Sequence, residues 1–279
     1  MAEAIGAPPE PGKPFRWSAG SIALAVAVVL YLMLLLFVPL LGLLGHVFDA
    51  GILAIIGELG KTEVLDGLGR TALITAIAAL VNGIAGIGLA LVLVRQRFFG
   101  LRFIDAVLDL PLALPPVMIG LSFLLVFGRG GLLEPLIAPT GLRIIFALPG
   151  LILAVLFVTL PFTVREVANV LGELGSGEED AAATLGASRW QTFRWVTLPN
   201  IRNAASYGVM LTAARSLGEF GAVLVLGGAI GGKTQTATTF IYTAMEERWE
   251  TAAYGTSLVL IALSMAFIIL LRQNKRGRC

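Results

Sequence analysis

The sequence is 279 residues long, 57% hydrophobic and 14% charged, with a formal net charge of +2. A soluble domain carries roughly a quarter of its residues as charges, so this composition excludes a chain whose solvent is mainly water. The single cysteine, Cys279, has no intrachain partner, which excludes a disulfide framework and a cysteine metal site.

Residues 1–16 carry Pro8, Pro9, Pro11 and Pro14 with few large apolar side chains, and this composition predicts a disordered tail. Lys13 and Arg16 then precede a long apolar run. It far exceeds the roughly 7 to 15 residues of a signal-peptide core and lacks a small-residue cleavage site, so it predicts a retained helix from about Ser18 to Gly45. Further windows able to cross about 30 Å of hydrocarbon at ~1.5 Å per residue follow at Thr71–Val94, Phe103–Phe127, Ile144–Val164, Asn203–Gly228 and Thr251–Leu271. The expected fold is therefore all-α, a single membrane domain over 17–271 with six transmembrane helices, closed by a basic tail at 272–279. No connecting segment is long enough to fold as a domain of its own.

Cationic flanks resist translocation, so Lys and Arg in the connections predict orientation. With both termini cytoplasmic, the inner segments hold Lys13, Arg16, Arg95, Arg97, Arg102, Arg165, Arg189, Arg194, Arg202, Arg272, Lys275, Arg276 and Arg278. The outer ones hold only Lys61, Arg70, Arg129, Arg143, Lys233 and Arg248. The small positive charge thus reports topology in a plasma or inner membrane and gives no reason to invoke nucleic acid.

Prolines gather in the third and fourth windows, at Pro111, Pro115, Pro116, Pro149 and Pro161, where each deletes a helical hydrogen bond. They shape packing, and kinked helices there also suit the wall of a water-accessible path. Asp105 and Asp109 read as acidic residues favouring a helix N-terminus. His46 stands at a helix end as a solvated interface residue, since one imidazole does not make a metal site.

Gly227-Gly-Ala-Ile-Gly-Gly-Lys-Thr234 matches the phosphate-loop pattern GxxxxGK[ST] letter for letter. A genuine phosphate loop joins a strand to a helix, whereas this stretch joins two membrane spans on the outer side, so it is read as a flexible turn. Arg215 and Glu219 fall inside the fifth window, with Ser216 beside them. A charge at the centre of a membrane helix costs at least about 2.5–3.5 kcal/mol, so neither is expected to face lipid. Four apart, they share a helix face and can pair. Two readings stay open, a buried pair that fixes packing and a pair whose arginine lines a path and attracts an anion.

The inner segment 165–202 is more patterned than a tether requires. Acidic residues at 178–180 predict a short helix that Gly186 ends. A second amphipathic stretch then presents Trp190, Phe193 and Trp195 before Pro199, which is expected to stop it. Aromatics set among arginines on a short rigid element suit docking into a partner's groove.

This segment resembles the EAA signature of the permease subunits of ATP-binding-cassette importers, in which Glu-Ala-Ala, Gly, Ile and Leu-Pro recur at fixed spacing. Asp180, Ala181, Ala182, Gly186, Val196, Leu198 and Pro199 occupy those places, with Asp for Glu and Val for Ile as departures. The stretches starting at Asp109, Ile145, Leu156, Thr184 and Arg215 are similar to the sulfate and molybdate branch, closest to permeases of sulfate/thiosulfate importers. The resemblance implies a type I importer permease fold with a coupling helix between helices 4 and 5. Ala187, Ser188, Arg189, Trp190 and Phe193 would make most of the contact with a cytoplasmic ATPase subunit. It further implies two ATPase subunits carrying ATP and Mg, a second and non-identical permease, and an extracytoplasmic anion-binding protein. The chain itself would bind no cofactor and catalyse nothing.

Moving a dianion against 100 mV costs roughly 4.6 kcal/mol, and a thousandfold gradient adds about 4 kcal/mol. ATP on a partner can supply this. A stand-alone secondary anion transporter would need a relay of intramembrane carboxylates or inverted repeats, and neither is visible. An assembly subunit without a path would leave Arg215 and Glu219 without a purpose. Among tetrahedral dianions sulfate is favoured, with molybdate or tungstate as the alternative because Gly232-Lys-Thr-Gln-Thr236 also resembles molybdate permeases.

Overall fold

The computed structural model of the chain describes residues 19–276. The expected tail 1–16 and Cys279 lie outside the described residues. The chain divides into two units, one ending at Asp49 and one beginning at Ala50. The described part of the first is all but the last residue of helix α1 (Ala19–Ala50), apolar around its whole circumference and containing Pro39, the composition of a helix solvated by lipid.

In the second unit, α2 (Ile52–Leu59) leads into α3 (Thr62–Arg95). Then come α4 (Leu101–Ala113), α5 (Pro116–Phe127), the single turn α6 (Glu134–Ile137) and α7 (Leu148–Leu174). Two short helices, α8 (Gly177–Thr184) and α9 (Arg189–Thr192), precede α10 (Leu198–Leu217) and α11 (Gly221–Gly227). The last are α12 (Ala237–Glu246) and α13 (Glu250–Arg276). Among the described residues, four helices are long and apolar enough to cross a membrane, and counting each of two bent pairs as one span raises this to six.

The third window is not one kinked helix. α4 and α5 are bent by 116° across Leu114–Pro115. Pro115 and Pro116 together remove two amide donors, and the residue before a proline is driven to extended backbone, here Leu114 at φ −91 and ψ 137. Pro116 then starts α5, where its fixed φ suits the first turn. Pro149 likewise lies in the first turn of α7 and kinks nothing, leaving Pro161 as the proline inside that helix.

Asp105 and Asp109 do not cap α4, whose first turn carries no acid. They hold α4 against α7 through Arg165, which donates to Asp105 Oδ1 at 2.6 Å and to Asp109 Oδ1 at 2.8 Å.

The core is the packing of α3, α7 and α10. Ala90, Val164, Val167, Leu171 and Ile201 are fully buried at one end, and Ile74, Ala78, Leu151 and Val155 at the other. Small residues permit the approach: a Cβ on Gly208 would stand 2.8 Å from the backbone Cα of Thr163. Threonines complete the contact. Thr163 and Thr212 share a hydrogen bond of 3.0 Å, and Asn82 donates to both Thr159 Oγ1 and the Leu156 carbonyl at 2.9 Å.

Pro199 does not stop the amphipathic stretch. Phe193–Thr197 form a π-helical turn that passes straight into α10, with Pro199 in its first turn. Widening the turn is a recognised way to accommodate a missing donor and a ring that would collide with the carbonyl four residues back. Helix 189–217 is therefore continuous.

Candidate functional site

The loop between α7 and α10 is organised by Glu179, one residue before the motif's acidic position. Arg95, the last residue of α3, donates from Nε to Glu179 Oε2 at 2.8 Å and from Nη2 to the Gly175 carbonyl at 2.7 Å. Thr197 Oγ1 donates to Glu179 Oε1 at 2.8 Å. Asp180 is exposed, and its carboxylate accepts a hydrogen bond from Ser176 Oγ at 2.9 Å.

Gly186 ends α8 in the left-handed region, φ +86, a conformation cheap for glycine alone, and Ala187 N then donates back to the Ala182 carbonyl. Ser188 caps α9 reciprocally with Gln191: Gln191 N donates to Ser188 Oγ and Ser188 N to Gln191 Oε1. The short helix is thereby fixed with its side chains outward. Trp190 is 65% exposed and stacks on half-buried Phe193 at 5.6 Å, while Leu185 just before Gly186 is 89% exposed. Arg189, Pro199 and Ala181 are exposed as well, and Ala182 and Leu198 are half-buried in α8 and α10. Trp195 is also exposed, with Arg194 over its ring at 5.7 Å.

Arg215 and Glu219 do pair, Nη1 to Oε2 at 2.8 Å, but unequally: the Arg215 side chain is 33% exposed and that of Glu219 1%. Glu219 lies in the break between α10 and α11, a 56° bend, and its Oε1 accepts the Ala222 N–H at the start of α11. The Glu219 carboxylate thus meets both the Arg215 guanidinium and the first turn of α11. Ser216 is buried and donates to the Thr212 carbonyl in its own helix. Of the three residues expected along a path, Ser216 and Glu219 are buried and Arg215 is partly exposed. A cavity of about 10 Å³, the size of one water, adjoins Glu219 with Thr71, Ser216 and Thr236 on its walls.

The Gly-Lys-Thr stretch is no flexible turn. The Ile230 carbonyl receives the N–H groups of Lys233, Thr234 and Gln235, and fully buried Thr234 donates to the Gly227 carbonyl at 2.6 Å. Those amides are spent within the loop and cannot cradle a phosphate. The loop also leads into α12, whose Thr236 cap accepts from Thr239 N.

A membrane-embedded all-helical chain whose inter-span loop is locked with its aromatics outward defines a membrane component of a multi-subunit transport system. The chain belongs to the family described as "Binding-protein-dependent transport system inner membrane component", which its residues 82–276 match. It is 39% identical over 259 residues to the sulfate transport system permease protein CysW of Synechococcus elongatus, covering 92% of this chain and 91% of that one. It is 38% identical over 210 residues to the sulfate transport system permease protein CysT of Escherichia coli, 75% of this chain and 76% of that one. A crystal structure of a bacterial alginate ABC transporter, with an alginate-bound periplasmic protein, superimposes with a TM-score of 0.76 over 92% of this chain and 93% of that one. Its identity is 15%, a likeness of fold alone.

Proposed function

We propose that the chain is the permease subunit of an ATP-binding-cassette importer that carries sulfate, and thiosulfate with it, into the cytoplasm. The observation that carries the importer reading is the loop: Trp190 stands exposed on a helix capped at Ser188, tied through Glu179 to α3 and continuous with α10. Seated in an ATPase cleft, this element would pass movement of the nucleotide-binding subunits to the helices around Arg215. Asp180, Ala181, Ala182 and Gly186 would set its direction, Ala187, Ser188, Arg189, Trp190 and Phe193 its contact surface, and Leu198 and Pro199 its join to α10.

The relatives' names supply the substrate. Similarity to both a CysW and a CysT protein supports pairing with a second, non-identical permease. Two cytoplasmic ATPase subunits would bind ATP and Mg, and an extracytoplasmic protein would deliver the anion. Both termini are assigned to the cytoplasm of a plasma or inner membrane.

The test is uptake of radiolabelled sulfate by cells lacking their own importer, supplied with this chain and its partner subunits. Uptake requiring both chain and ATPase, blocked by thiosulfate and indifferent to trace molybdate, is expected. Accumulation of molybdate or tungstate instead, by an assembled complex, would overturn the substrate and keep the importer.

A further inference from the structure

Between Phe127, where α5 ends, and Leu148, where α7 begins, the chain makes an excursion that encloses a cleft of about 630 Å³. Its wall is mostly apolar, including Leu124, Phe127, Ile137 and Leu142, and Arg129 and Arg143 stand on it. The one carboxylate there, Glu134, already accepts the Gly130 N–H. Neither arginine has an ion pair or side-chain hydrogen bond among the described residues. Leu132 and Leu136 carry the apolar surface outward, 81% and 71% exposed.

We propose that this cleft binds one acidic phospholipid, its phosphate held by Arg129 and Arg143 and its acyl chains along the aliphatic wall. The cleft lies at the ends of two apolar helices, where hydrocarbon gives way to headgroups. Guanidinium groups bind phosphate through paired hydrogen bonds, and because Arg129 and Arg143 fall in an outer connection the lipid would come from the outer leaflet. The cleft has room for a headgroup and the upper part of the acyl chains, which the exposed Leu132 and Leu136 would carry outward, whereas a free inorganic oxyanion is far smaller and needs no apolar wall.

The test uses the purified full-length chain in detergent, with dioleoylphosphatidylglycerol and dioleoylphosphatidylethanolamine at equal concentration, read by native mass spectrometry. Retention of the acidic lipid over the zwitterionic one by at least about tenfold is expected, lost in Arg129→Gln/Arg143→Gln. Ala138→Trp, which fills the cleft and leaves both arginines, should lose it too. Equal retention of the two lipids, or undiminished retention by the arginine variant, would overturn the site. So would full displacement by millimolar inorganic phosphate, which marks a bare anion site. Cross-linking of Leu142→Cys to a protein partner in native membranes would mark a protein interface and overturn it as well.

Discussion

Arg95 Nε lies 2.8 Å from Glu179 Oε2, and this contact joins the end of α3 to the short helix that opens the 175–198 loop. Both side chains are about one-fifth exposed, so water screens the pair only in part. Glu179→Gln should destabilise the chain by about 1–3 kcal/mol, as loss of a charge-assisted hydrogen bond does. Detergent-solubilised thermal unfolding measures this, and exchanging the two residues should recover part of the loss. No effect of Glu179→Gln would show that the loop holds its shape without α3.

Trp190 and Gly186 divide the loop's surface from its backbone. Trp190→Asp removes a largely exposed ring, so the chain should insert and melt normally yet fail to co-purify with the ATPase. Gly186→Pro imposes φ near −65° where the backbone stands at +86, so it should misdirect α9 and abolish uptake. Normal ATP-dependent uptake by both variants would sink the docking role.

The unequal burial of Arg215 and Glu219 determines which substitution is informative. Arg215→Gln alone strands a buried carboxylate, a loss on the order of 3–5 kcal/mol for a fully buried pair and less here because the arginine is one-third exposed. The neutral pair Arg215→Gln/Glu219→Gln keeps an oxygen for the Ala222 N–H and removes both charges. An assembled complex of this double variant should take up sulfate at least about tenfold more slowly if the guanidinium attracts the anion. Unchanged uptake would assign the pair to packing.

Gly208→Ala places a methyl 2.8 Å from Thr163 Cα, backbone that cannot turn aside. Overpacking of this kind costs about 1–3 kcal/mol. Gly88→Ala, inside α3 of the same α3–α7–α10 bundle but with open space around its Cβ, is the control and should keep or slightly raise the unfolding temperature, alanine being the better helix former.

Long apolar runs made the spans legible, because hydropathy over about 20 residues leaves lipid as the natural solvent. Short elements were not. α2 and α12 are eight and ten residues long, and α12 opens on Thr236 with Thr239 three places on, a cap weaker to the eye than Ser or Thr followed by Glu. Pro115–Pro116 announced a disturbance but not its size, since a sequence does not state which way a freed backbone turns. The motif drew attention to Asp180 while its neighbour Glu179 faces Arg95, because spacing records what a partner meets and not what holds the loop together. Buried threonines such as Thr163 and Thr212 passed unnoticed, being neutral in any hydropathy window.

The π turn at Phe193–Thr197 has a mechanical meaning. It splices α9 to α10, so a push delivered at Trp190 meets no hinge until Gly218, where the backbone bends by 56°. The rod between them is on the order of 40 Å at ~1.5 Å per residue, and a tilt of about 5° about its far end would sweep the near end through roughly 3.5 Å. Arg215 sits beside that pivot. In the proposed importer a stroke applied at the rim would therefore arrive there geared down, as a small turn of the Arg215 guanidinium against the Glu219 carboxylate.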